Sequence, residues 1–254
     1  GVAPRKNVLC RISAETALRS RPYGQTADHI MLRFYFHATP NPMKVALLLE
    51  ELGLDYEPIA LDTFKGHQHS AEFLKINPNG KAPAIEDHGT RVFDSNAILL
   101  YLSEKTGKLG GQPEDRAELL SWMMFIASGL GPYSGQSVHF RHAAPAGLDY
   151  AVNRYLREAQ RHYEVLEKHM EGREFIVGNE YTIVDVAAWG WIDKAPVVLG
   201  EEGLEPYPNL KRWFNAINTR PAALRARETG KDVEFKTERD EEAKRALFPS
   251  NYAK

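Results

Sequence analysis

Thr39-Pro40-Asn41, just past the first strand-like run, is where an anion could be held. Asn41 followed by Pro42 reads as a helix start: Asn caps well, and proline suits the first helical position. Free N–H groups and the helix dipole at such an end favour a negative ligand. The Thr39 hydroxyl and the Asn41 amide can each donate to it. The plainer reading makes Asn41 a cap and Thr39 a turn residue. Asp94-Ser95 also precedes a helical pattern, with Ser95 fitting as the N-cap. Pro83 stands before a short strand, where proline is tolerated. Lys81 reads as a solvated loop charge and Arg154 as a helix-surface charge. His67 and His69 flank Gln68, and His139 and His142 are three apart. Neither pair has a third ligand at metal-site spacing, so no metal is expected. No Gly-rich phosphate loop is present. The single cysteine, Cys10, excludes a disulfide framework and a Cys-rich zinc site.

The elements that must position these residues alternate in the first half. Leu32 to Phe36 reads as a strand. A helix follows, with Val45, Leu48, Leu49 and Leu52 at helical spacing and Gly53 as its left-handed stop. Tyr56 to Leu61 is a second strand. After a polar loop and a short helix near Glu72 to Lys75 come two short strands, Ala84 to Glu86 and Val92 to Asp94. A helix from about Asn96 to Lys105 closes the unit. That βαβ-ββα order is thioredoxin-like. Beyond Gly110-Gly111 the strand patterns stop. Helical ones run through Leu119 to Ile126, Tyr150 to Met170, Ile183 to Ala195 and Asn209 to Ile217. Thr182 and Asp185 are spaced as a reciprocal capping box, with Tyr181 and Val186 as a staple. The helix they open is apolar nearly all round, which predicts the centre of a bundle. The expected division is 31–111 as the α/β unit, 112–227 as an all-helical unit, and 228–254 as a charged tail that wraps or is disordered.

Composition narrows the class. The 254 residues are 43% hydrophobic and 26% charged, with a net charge of −2, which disfavours a nucleic-acid binder. Leu119 to Phe140 has no Asp, Glu, Lys or Arg, but Gly129, Gly131, Pro132 and Gln136 interrupt it. It reads as a buried helix and then a loop, not a membrane span. One cysteine fits a reducing compartment, so a cytoplasmic location is expected. Residues 1–30 carry +3 against −5 for the remainder. They read as a disordered or appended extension, with Met31 as the expected natural start; a transit peptide is the weaker reading.

The motifs also carry a resemblance. Thr39-Pro40-Asn41, the run NPNGKAPAI from Asn77 to Ile85, DSNAI from Asp94 to Ile98, and the buried T-x-x-D helix at Thr182 resemble a cytosolic glutathione transferase over roughly Met31 to Arg227. Gly66 to Gln68, Gly131-Pro132, the run His139 to Pro145 and the run Tyr150 to Tyr155 are similar to the bacterial Nu class. That class is associated with glutathione-dependent disulfide-bond reduction. The resemblance implies that Thr39 and Asn41 activate a bound glutathione thiolate. It implies a cis peptide at Pro83, with the Ala82 backbone pairing with the glutathione cysteinyl group. It implies that Asp94 and Ser95 hold the γ-glutamyl end, Gln68 and Lys81 the glycyl end, and that Arg154 touches glutathione. Asp94 departs from the Nu pattern, where Glu stands. Since no cysteine follows Met31, disulfide chemistry would run on glutathione's own thiolate. Tyr35 stands where several animal classes place a catalytic tyrosine, although strand aromatics are commonly core. The implied partners are glutathione or its disulfide, a small disulfide or electrophile, and a second copy in a homodimer. The alternatives are a conjugating, ring-opening or ether-cleaving transferase, and a non-catalytic binding module of the same fold.

Overall fold

A computed structural model of the chain describes residues 32–252. The expected extension at 1–30, Cys10 and the Met31 start lie outside the described residues. β1 (Leu32–Phe36) pairs in parallel with β2 (Glu57–Ala60) and antiparallel with β3 (Ala84–Asp87), which pairs antiparallel with β4 (Thr90–Phe93). The strand order β2-β1-β3-β4 is the expected thioredoxin-like sheet. Alternation along β1 sorts its side chains. Leu32, Phe34 and Phe36 join the main core with α1 (Pro40–Leu52) and α3 (Ser95–Thr106). Tyr35 turns to the other face and packs on Phe73 of α2 (Ala71–Ile76), ring centroids 5.7 Å apart.

The second half is helical: α4 (Arg116–Phe125), α5 (Gly131–His142), α6 (Asp149–His169), α7 (Ile183–Ile192), α8 (Ala195–Leu199), α9 (Pro208–Asn218), α10 (Pro221–Glu228) and α11 (Glu241–Leu247). Every residue of α7 is buried, as its apolar run predicts. Its start is the reciprocal box: Thr182 Oγ1 accepts from Val184 N at 3.2 Å, and Asp185 Oδ2 accepts from Thr182 N at 3.0 Å.

The loop expected beyond Ile126 is instead a wide turn, Ile126–Leu130, leading straight into α5. Gly129 in this turn and Gly131 at the start of α5 serve contact rather than chain reversal. A Cβ on Gly129 would lie 2.3 Å from His162 Nε2, and one on Gly131 would lie 3.1 Å from Trp191 Nε1. Close approach of helices selects glycine here, and sequence alone reads the same residues as breakers. The halves are joined through α1. Arg220 makes a two-pronged pair with Glu51 at 2.6 and 3.0 Å, and Arg225 Nε donates to Glu50 Oε2 at 2.6 Å.

Candidate active site

The turn between β1 and α1 begins the site. Thr39, not Asn41, occupies the cap: its backbone is extended (φ −120°, ψ 165°) and Pro40 follows. Pro40 biases Thr39 away from helical backbone and has the φ that the first helical position needs. Asn41 therefore lies inside the first turn, and its amide is released from capping. Pro40 and Pro42 carry no N–H, so among the first three helical residues only Asn41 offers a backbone donor. The several free N–H groups expected at this helix end reduce to one. An anion here depends chiefly on side-chain donors.

Those donors face a cleft of about 510 Å³ between the halves. Thr39, Asn41 and Ala82 line it from the α/β side, and Val138, Trp191 and Lys194 from the helical side. The Ala82–Pro83 peptide is cis. The Thr39 hydroxyl makes one long contact, 3.4 Å to the His37 carbonyl, and is otherwise available. Asn41 Oδ1 accepts from Trp191 Nε1 at 3.0 Å and from Ser95 Oγ at 3.5 Å. His37, just before the turn, is held by the Leu61 carbonyl, 3.1 Å from its Nδ1, and burial keeps its pKa below the usual histidine value.

Asp94, not Ser95, caps α3. Its Oδ1 accepts from Asn96 N at 2.9 Å and Ala97 N at 3.3 Å, with a left-handed φ of 69°. Ser95 is buried beneath it and reaches Asn41 instead. Lys81 is exposed; its carbonyl, 2.5 Å from Asn77 Nδ2, holds the loop. Gln68 is buried, and its amide hydrogens go to the Thr63 carbonyl at 3.2 Å and the Ala246 carbonyl at 3.0 Å. Both neighbours are acceptors, so the NH₂ end must face them, which leaves the buried Oε1 without a partner. Gln68 is thus not presented as a donor to the cleft. Arg154 is exposed, pairs with Glu158 at 3.1 Å one helical turn on, and does not line the cleft. Tyr35, on the α2 face, does not line it either.

Three cleft residues with polar side-chain groups have no signal in the sequence: Trp191, Lys194, and Arg239 from the tail. In the sequence Trp191 is only one of several apolar residues of its helix, and its indole N–H carries no local signal. The tail is an ordered wrap. Lys236 N donates to Asp62 Oδ2 at 2.8 Å, and the Phe235 ring lies 4.4 Å from that of His37. Beside the main cleft, Phe64, Val138, Leu247 and Phe248 line a smaller, largely apolar pocket of about 130 Å³. Among the described residues, no group of three or more His, Cys, Asp or Glu is placed to hold a metal, and no helix is long and apolar enough to cross a membrane.

A thioredoxin-like sheet joined to an all-helical half, with a polar helix start opening on the cleft between them, defines a class of thiol-handling proteins. Residues 32–104 match the family model "Glutathione S-transferase, N-terminal domain", and residues 122–221 match "Glutathione S-transferase, C-terminal domain". The chain belongs to the glutathione S-transferase family. It is 44% identical over 204 residues to the disulfide-bond oxidoreductase YfcG of Escherichia coli K12, covering 77% of this chain and 94% of that one. It is 37% identical over 242 residues to the disulfide-bond oxidoreductase YghU of the same organism, covering 87% and 81%. Among solved structures, a glutathione transferase from Burkholderia graminis with two glutathione molecules bound per subunit superposes with a TM-score of 0.75 at 36% identity. That match covers 81% of this chain and 91% of that one.

Proposed function

We propose that the protein is a glutathione-dependent disulfide-bond oxidoreductase that activates the glutathione thiol at the start of α1 without a protein cysteine. The observation that carries this reading is the convergence of Thr39, Asn41 and Ala82 on one cleft, in a chain with no cysteine after Met31. A free thiol has a pKa of about 8.5, and lowering it by about two units takes roughly 2.7 kcal/mol. The helix dipole contributes up to about 1 kcal/mol. A hydrogen bond to a charged group contributes about 1.5–3 kcal/mol. One such bond, from the Thr39 hydroxyl or the Asn41 amide, therefore closes the gap.

The thiolate of one glutathione attacks a disulfide sulfur, forming a mixed disulfide and expelling a thiolate. A second glutathione thiolate attacks the glutathione sulfur of that species, giving glutathione disulfide and the second thiol product. Two glutathiones are oxidised for each disulfide reduced. Ala82 pairs with the cysteinyl backbone, Asp94 and Ser95 hold the γ-glutamyl end, and Lys81 takes the glycyl carboxylate. The 31–111 unit supplies this site, while the 112–227 unit and the 228–254 tail wall the second-substrate space. The apolar pocket at Phe64, Val138 and Phe248 favours conjugation of small apolar electrophiles as a side activity of the same thiolate. Location in the reducing cytoplasm follows from this chemistry.

The test is glutathione-driven reduction of 2-hydroxyethyl disulfide, coupled to glutathione reductase and NADPH. Thr39→Ala and Asn41→Ala are each expected to lower kcat/KM by about 10- to 100-fold. Wild-type turnover no faster than the uncatalysed reaction, with glutathione bound, would refute the assignment in favour of a conjugating or non-catalytic relative. A homodimer is part of the same proposal. Phe93 on edge strand β4, and Leu120 and Met124 one helical turn apart on α4, are exposed apolar groups that a second copy would cover. Sedimentation at micromolar concentration should give twice the chain mass, and a monomer there would remove this part.

A further inference from the structure

Trp191 lies 150 residues beyond Asn41 and in the other half of the molecule, yet its indole N–H bonds the Asn41 side chain. An indole nitrogen only donates. At 3.0 Å from Asn41, it must therefore face the carbonyl oxygen, because the flipped amide would set donor against donor. Ser95 Oγ approaches the same oxygen at 3.5 Å. Asn41 Nδ2 makes no hydrogen bond among the described residues, although Asn41 lines the cleft. Trp191 is itself held in place. It is 9% exposed, its backbone carbonyl accepts from the Tyr163 hydroxyl at 3.0 Å, and Gly131 and Gly135 leave room for its ring. A Cβ at those two positions would sit 3.1 Å from Nε1 and 3.4 Å from Cη2.

We infer that Trp191 is a positioning residue: it fixes the Asn41 amide with its NH₂ group toward the cleft, so that this donor meets the glutathione sulfur already oriented. The inference rests on the thiolate reading of Asn41 given above. The oriented donor is thus built by both halves. α1 carries the amide, α7 sets its direction, and α5 holds the ring of α7's tryptophan.

The experiment titrates the thiolate absorbance of enzyme-bound glutathione against pH in wild type, Trp191→Phe, Asn41→Ala and the double variant, with kcat and KM for glutathione measured alongside. Trp191→Phe keeps an aromatic ring and removes the donor. It should raise the bound thiol pKa by about one unit and lower kcat at neutral pH by roughly tenfold, with KM for glutathione changed less than about twofold. The double variant should match Asn41→Ala, since the two act as one unit. An unshifted pKa in Trp191→Phe, with a raised pKa in Asn41→Ala, overturns the role of Trp191 alone. Shifts that add in the double variant do the same. An unshifted pKa in Asn41→Ala overturns the thiolate reading and this inference with it. A measurement that does not depend on the fold of Trp191→Phe is the indole N–H spectrum of ¹⁵N-labelled protein. Of four tryptophan signals, one should move in Asn41→Asp, whose carboxylate still accepts from Trp191. If none moves, the contact is absent and the inference fails.

Discussion

At the scale of single residues, Lys44 sets a charge against the packing around it. It sits on α1 with 1% exposure, and its stem passes α7 at Gly190, where a Cβ would lie 2.7 Å from Lys44 Cγ. Burial drives its pKa from the usual 10.5 to about 7, opposed by the charge of Asp94. Between those two values the unfolded chain holds a proton that the folded chain has shed. Stability must therefore rise with pH across that window and be lowest below it. Lys44→Met removes the titration. Its urea midpoint should be nearly flat from pH 7 to 9, where wild type climbs, and at pH 7 it should exceed wild type by a few kcal/mol of stability. A flat wild-type profile would mean that the Lys44 ammonium keeps a partner when folded. Turn and helix-start chemistry is local, which makes Thr39 and Asn41 legible in the sequence, whereas Ala82 enters only through the family resemblance. The burial of Gln68 is not legible, because one of its donors goes to the nearby Thr63 carbonyl and the other to a tail carbonyl 178 residues on. Trp191 was hidden for the same reason: one hydrogen bond across the molecule leaves no spacing to read.

At the scale of elements, the start of α7 joins local and distant demands in one carboxylate. Asp185 is fully buried and closes the capping box with Thr182, a bond that sequence predicts. It also accepts from Ile176 N at 3.1 Å and from Trp213 Nε1 at 2.8 Å, which ties α7 to the preceding loop and to α9. Burial pushes its carboxyl up to about 6 against the pull of these donors, so it stays mostly ionised at neutral pH. Asp185→Ala takes the acceptor from four buried donors, Thr182 N, the Thr182 hydroxyl, Ile176 N and Trp213 Nε1. The expected loss is about 3–5 kcal/mol, seen as a melting temperature lower by roughly 10 °C. A fall of only a degree or two would show that the helix start is stabilised by its apolar packing alone. The predictable elements were those with a strong apolar stripe, α6 and α9, or with a clear start or stop signal, α1, α3 and α7. The stretch from Gly129 into α5 reads as a loop in the sequence because Gly129 is spent on contact with His162, and Gly131 and Gly135 on contact with Trp191, partners that no window of sequence contains.

At the scale of the whole molecule, residues 229–252 cross from the helical half back to the sheet. Phe235 packs on Phe36 and His37, at ring distances of 5.8 and 4.4 Å, and the Ala246 carbonyl accepts from Gln68 and pairs with His69, each at 3.0 Å. The tail also sets Arg239 at the rim of the cleft, where its guanidinium has no ion pair among the described residues. A chain ending at Lys231 loses both contributions, and they are separable. Loss of Phe235, which packs on Phe36, and of the buried Ala243 removes apolar burial, which should cost about 2–4 kcal/mol of stability. Loss of Arg239 removes a cation from the path of the second substrate, and a cation acts on charge rather than on sulfur chemistry. The shortened chain should therefore raise KM several-fold for a disulfide bearing carboxylates, such as cystine, and much less for neutral 2-hydroxyethyl disulfide. Arg239→Ala in the full chain should reproduce the selectivity without the loss of stability. Equal changes for the two disulfides would mean that the tail shapes the cleft by bulk alone. In that case substrate charge would be read by Lys194, which the truncation leaves in place.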